Sequence, residues 1–181
     1  MHLRFQFEKS LQAAGCLLEL NGDRMEYVRL LKLLYIADRE MMAEAGAPIT
    51  GDRAVAMDHG PVLSHVYDLV KGKAARAGEW AHFIRTTHHW VALRQPTGRG
   101  KLNKAEIEKL QEVTERYQDD SEWDICGKTH QFPEWKKNFL PNTSTPIPWE
   151  EALEAHGRAD MIEAVEKQDQ LERYLDTVFG A

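Results

Sequence analysis

A chain of 181 residues, 43% hydrophobic and 29% charged, has the size and balance of one globular domain, not of a disordered or fibrous protein. No apolar run approaches the ~20 residues of a membrane-spanning helix, and Arg4 falls where a secretory signal would have its apolar core. Only Cys16 and Cys126 are present, far apart and without metal-site spacing; they read as small apolar residues rather than a disulfide, which fits a reducing, cytoplasmic home, and the net charge of −6 divides into −3 over residues 1–70, +7 over 71–104 and −10 over 105–181.

In chain order, the spacing predicts a helix over Phe7 to Leu20, with Phe7, Leu11, Ala14, Leu17 and Leu18 on one side. Asn21-Gly22 ends it. Asp23 and Glu26 have the spacing of a capping box for a second helix, from about Met25 to Glu44. Met25, Val28, Leu31, Leu34 and Tyr35 form its stripe, and Leu30, Leu33 and Ile36 widen it, which places this helix near the centre of the core. Gly46 and Pro48 stop it.

A short strand, Arg53 to Met57, leads into Asp58-His59-Gly60-Pro61. Proline lacks an amide hydrogen and has a fixed φ, so a third helix is expected to start at Pro61, with Val62, Val66 and Leu69 inward. Lys71 to Gly78 reads as a basic loop. Trp80 to Thr86 and His89 to Arg94 read as two strands of a hairpin, rich in aromatic and β-branched residues.

Asn103 and Glu106 form a capping box for a helix to about Tyr117, Ser121 caps a short helix through Cys126, and Pro133 opens another around Trp135. Leu140 to Pro148, with three prolines, reads as a fixed loop. Trp149 to Ala155 and Asp160 to Phe179 close the chain as helices, with Ile162, Val165, Leu171, Leu175 and Val178 expected inside. The fold class is mainly α (α+β): a single helical domain with a small inserted antiparallel β-sheet or hairpin.

His59, His65 and His130, with Asp58 and Asp68, supply titratable groups but no short metal-ligand spacing, and hydrogen-bonded structural histidines are the expected reading. Cys126 lies four residues before His130 and is the best nucleophile–base pair for a hydrolase-type enzyme, although a cysteine there is expected to pack in the core. Asp38 and Asp68 sit on apolar helices and would need to cap, to pair with Arg39 or Lys71, or to bind the Tyr35 or Tyr67 hydroxyls. His88-His89-Trp90 occupies the hairpin turn, flanked by Arg85 and Arg94, with Arg99 beyond. This basic, aromatic set suits a protein interface, or stacking with nucleic acid by a regulator that uses residues 71–104.

The order Lys32-Leu-Leu-Tyr35-Ile-Ala-Asp38, Gly46-Ala-Pro48-Ile49, Gly60-Pro61-Val62 and Val66-Tyr67 resembles the first half of the Panacea domain, the SocA-like antitoxin family. Leu102-Asn-Lys-Ala-Glu106-Ile, Thr129-His130 and Trp135 resemble the second half. Tyr35, Asp38, Gly60, Pro61, Tyr67, Thr129, His130 and Trp135 carry the motif. The resemblance implies a Panacea-like antitoxin domain over residues 1–140, with residues 141–181 packing on it as a proline loop and helices. It implies an interaction protein, not an enzyme: an antitoxin of a bacterial or phage toxin–antitoxin pair that neutralises a cognate toxin by direct contact. No cofactor, metal or membrane is called for. A cellular protease is a second conceivable partner, and nucleic acid is not favoured. Arg85, His88, His89, Arg94 and Arg99, with the proline loop at 140–148, are the expected contact surface.

Overall fold

The computed structural model describes residue 1 and residues 3–179. Helix α1 (Phe7–Leu20) leads through β1 (Arg24–Glu26) into α2 (Tyr27–Ala45). α2 is buried almost all round, as its wide stripe predicts, and packs against α1 and the later helices α5 (Lys104–Arg116), α6 (Glu122–Thr129) and α8 (Trp149–Ala155). It ends at Gly46, whose φ of 75° is left-handed and whose amide donates to the Met42 carbonyl at 3.0 Å.

The start of α2 differs from expectation. Asp23 has a φ of 66° and no capping box forms. Instead Arg24–Glu26 pairs antiparallel with β5 (Trp90–Leu93), so those backbone groups are satisfied by a sheet. β5 also pairs with β4 (Ile84–Thr87), giving a sheet of order β1-β5-β4. The expected first hairpin strand begins too early: Trp80 lies buried on helix α4 (Ala77–Phe83). A short aromatic run is too brief to separate the two periods. The hairpin turn itself falls at His88-His89, as read.

The second sheet, β3-β2-β6, replaces the expected helix start at Pro61. β2 (Ala54–Met57) and β3 (Gly60–Leu63) form a hairpin closed by Asp58-His59, with Ala56 opposite Pro61. β3 is an edge strand, where a missing amide hydrogen leaves no gap in the ladder. Helix α3 (Ser64–Val70) begins three residues later. The Asp52 carboxylate caps it, accepting from the His65 and Val66 amides at 3.0 and 2.9 Å. On the other side of β2, residues Thr145–Ile147 of the expected proline loop form β6.

The expected Asn103/Glu106 capping box forms on α5, Ser121 caps α6 as expected while Asp124 completes a box there, and Pro133 opens α7 (Pro133–Asn138). Trp149, at the head of α8, donates its indole N–H to the Asp52 carbonyl at 3.0 Å. Helix α9 (Ile162–Phe179) departs from its predicted packing. Val165 is buried against the end of α2, but Leu171, Leu175 and Val178 are exposed, no element among the described residues covering them. No helix among the described residues is long and apolar enough to cross a membrane.

Candidate functional site

The motif residues of α2 point to α7 and to the loop after α2. Tyr35 is fully buried and donates its hydroxyl to Glu134 Oε1 at 3.1 Å. Arg39 grips both oxygens of the same carboxylate, through Nε at 2.5 Å and an Nη at 3.2 Å. Its guanidinium also lies 4.2 Å over the Phe132 ring. Burial and the nearby Glu134 charge push the Tyr35 phenol well up. Asp38 binds none of its expected side-chain partners and instead caps backbone amides. It accepts from the Ile49 and Thr50 amides at 2.9 and 3.1 Å and from the Thr50 hydroxyl, closing the loop between α2 and β2. Burial raises its carboxyl to about 7 against the pull of those donors.

The remaining motif residues converge on the β2–β3 hairpin. Lys32, only 1% exposed, donates its ammonium to the Pro61 carbonyl at 2.8 Å, and burial lowers its pKa to about 7. Gly60 has a φ of 95°, and a Cβ built there would lie 2.7 Å from the Thr129 hydroxyl and 3.2 Å from Lys32 Nζ. Only glycine fits. Thr129 spends its hydroxyl on the Cys126 carbonyl at 2.9 Å. The His130 ring stacks on Trp135 with centroids 4.2 Å apart, and Trp135 donates its indole N–H to the Met57 carbonyl at 3.1 Å. A cavity of about 120 Å³ beside Lys32 is lined by Tyr27, Leu31, Gly60, Val62 and Tyr67 among others.

The Cys126–His130 pair does not form an activated nucleophile. The bond that joins the two residues is backbone, from the His130 amide to the Cys126 carbonyl at 3.0 Å. Burial raises the Cys126 thiol, and burial with the nearby Lys32 charge lowers the His130 imidazole. His130 Nε2 is buried without a hydrogen-bond partner among the described residues. His65 leaves Asp68 and pairs with Asp52, Nδ1 to Oδ1 at 2.7 Å, while its ring stacks on Phe5. His59 packs edge-on against Trp123. Among the described residues no group of three or more His, Cys, Asp or Glu is placed to hold a metal ion.

The basic segment splits. Arg76 pairs with Glu8 and Glu79, and Arg99 with Glu19 at 2.6 Å, so their carboxylates come from α1 and α4, not from the acidic last third. Arg85, His88, His89 and Arg94 are exposed, and Arg85 and Arg94 form no ion pair among the described residues. Arg24, unremarked in the sequence, lies 4.1 Å over the exposed Trp90 ring and joins this face. Arg85 and His88 line two adjacent concavities of about 360 and 450 Å³. Arg99 is not part of them.

Sequence reasoning also missed Asp52, Glu134 and the burial of Lys32. Asp52 had a usable signal, a carboxylate near a helix start, but the start was misplaced to Pro61. Glu134 and Lys32 had none, since their partners lie 99 and 29 residues away.

The fold and the inward-turned motif define a mainly α domain with two small antiparallel sheets, in which the motif residues hold elements together. The chain belongs to the SocA-like antitoxin family: the model described as "Antitoxin SocA-like, Panacea domain" matches residues 30–136, the span from α2 to α7. No curated protein and no solved structure matches the chain.

Proposed function

We propose that this protein is a cytoplasmic antitoxin that neutralises a cognate toxin by direct protein–protein contact, without catalysis of its own. The family match over residues 30–136 carries this reading. The disposition of the motif supports it: Tyr35, Asp38, Thr129 and Trp135 are buried and committed to internal hydrogen bonds, as expected of a scaffold that presents a surface. The surface put forward for the toxin is the hairpin face of Arg24, Arg85, His88, His89, Trp90 and Arg94. Arginine and tryptophan are the types that most often anchor interfaces, and here both are exposed, while Arg24, Arg85 and Arg94 form no ion pair among the described residues.

Co-expression with the product of the adjacent reading frame tests the proposal. The expected result is a complex that co-purifies and growth that is restored. A neighbour that is harmless alone and does not bind would overturn it. Binding to nucleic acid in place of protein would show as a steep fall in affinity with salt.

A further inference from the structure

Lys32 lies inside the protein with no carboxylate beside it. Its ammonium has three donors and makes one hydrogen bond, to the Pro61 carbonyl at 2.8 Å. The other buried lysine among the described residues, Lys109, is surrounded differently. Glu40, Glu44 and Glu112 hold its ammonium at 3.1, 2.7 and 2.7 Å. A buried charge needs partners of that kind. The titratable groups that act on Lys32 from α6 and its C-terminal end are Cys126 and His130. Neither supplies a negative charge, since burial holds the Cys126 thiol up.

A cavity of about 120 Å³ adjoins this amine, lined by Lys32 and Gly60 and walled by Tyr27, Leu31, Val62 and Tyr67. A cavity of ~150 Å³ holds benzene, so this one takes a body of a few carbons. The absent Cβ of Gly60 keeps its polar corner open: one built there would lie 3.2 Å from Lys32 Nζ and 3.3 Å from the His130 ring. Nε2 of that ring is buried with no hydrogen-bond partner among the described residues, a second unspent polar atom. Beside the half-buried tyrosines, the Lys71 ammonium lies 3.8 Å from the Tyr27 ring and 5.7 Å from that of Tyr67, in no ion pair among the described residues. Asp58, the acid in the lining, is exposed and accepts the Asn142 amide at 3.0 Å.

We propose that this cavity binds a small monocarboxylate, its carboxylate meeting the Lys32 ammonium and its short hydrocarbon body lying against Leu31, Val62 and Tyr67. The acid supplies the counter-charge that the fold gives to Lys109 and withholds from Lys32. The small volume and the single buried cation select one charge and few carbons. Lys71 draws the anion toward the tyrosines. Without a counter-charge the amine sheds its proton at about 7, because burial disfavours the charged form. With a carboxylate beside it the amine keeps that proton, so binding above pH 7 takes one up. The site stands apart from the antitoxin reading.

An amide NMR titration of the full chain with isobutyrate, followed at Gly60, Val62 and Tyr67, tests the site. Saturating shifts at these residues are expected. Isobutyramide, of the same shape and without charge, should bind about 10-fold more weakly or worse. Lys32→Met should weaken isobutyrate binding about 10- to 100-fold, the scale of a charge-assisted hydrogen bond. Val28→Phe fills the cavity from a half-buried position, leaves Lys32 in place and should weaken it too. Affinity should be level just below pH 7 and fall by up to about tenfold per pH unit above it. No saturating shift overturns the inference, and so does isobutyramide that binds as tightly as the acid. A Kd indifferent to pH or to Lys32→Met also overturns it, as do shifts confined to the exposed face of Arg85 and Arg94. Growth rescue without isobutyrate binding overturns this inference alone, and acid binding without toxin capture overturns the antitoxin reading alone.

Discussion

Lys32 and Asp38 sit six residues apart on α2 and titrate in opposite directions. In the folded chain the Lys32 amine loses its proton near 7, far below the ~10.4 of an unfolded lysine. Between those values the unfolded chain holds more protons, so this residue makes stability rise with pH from about 7 to about 10. Lys32→Met should abolish that rise, which urea unfolding across this range would measure as a lost slope of up to about 1.4 kcal/mol per pH unit. Asp38 is raised to about 7 from the ~3.9 of an unfolded aspartate, so the native state holds more protons between these values. Its contribution is fully present below about 4 and is lost as pH rises through 7. Asp38→Asn should flatten that limb. Asp38→Ala strands the Ile49 and Thr50 amides and should cost about 3 kcal/mol, read from the urea midpoint. Neither residue's role was legible in the sequence. A lysine inside an apolar stripe reads the same whether it snorkels to water or bonds a distant carbonyl.

At the scale of elements, helices were legible where a stripe or a cap is local, as at α1, at the capping box of α5 and at the Ser121 cap of α6. β1 and β6 were not, because a three-residue strand has no measurable period and each is made by a partner strand far away in sequence. Pro61 shows the same limit. A proline suits a first helical turn and an edge strand equally, and only the pairing with Ala56 decides. Two substitutions test how these elements are joined. Gly60→Ala places a Cβ 2.7 Å from the Thr129 hydroxyl at positive φ and should destabilise by about 2 kcal/mol. Glu134→Ala leaves Arg39 buried and unpaired beneath α7 and should cost about 3–5 kcal/mol. Differential scanning calorimetry of the two variants checks both values. A loss of toxin binding by Gly60→Ala with an unchanged melt would instead make the hairpin a contact surface.

For the whole molecule, the ordered blocks of the motif were legible in the sequence, and they sufficed for the family. The conversion of those blocks into an interior was not. Tyr35, Thr129 and Trp135 are hydrogen-bonding residues that could equally serve a partner, and only their burial against Glu134, Cys126 and Met57 assigns them to structure. The basic segment was legible as charge but not as geometry: Arg76 and Arg99 are neutralised from α1 and α4, and Arg24 joins Arg85 from another strand of the sheet, while Arg94 lines the adjacent concavity with Arg85. Arg85→Glu with Arg94→Glu should therefore weaken toxin binding about 10- to 30-fold, as expected for losing interface anchors, while Arg99→Glu should not. The most direct measurement is a calorimetric titration of the purified neighbouring gene product into this chain. Saturable binding that tracks growth rescue, and that is lowered by the Arg85/Arg94 pair, is the predicted result. A toxic neighbour whose activity this chain suppresses with no detectable binding heat, and no complex on sedimentation, would contradict neutralisation by contact.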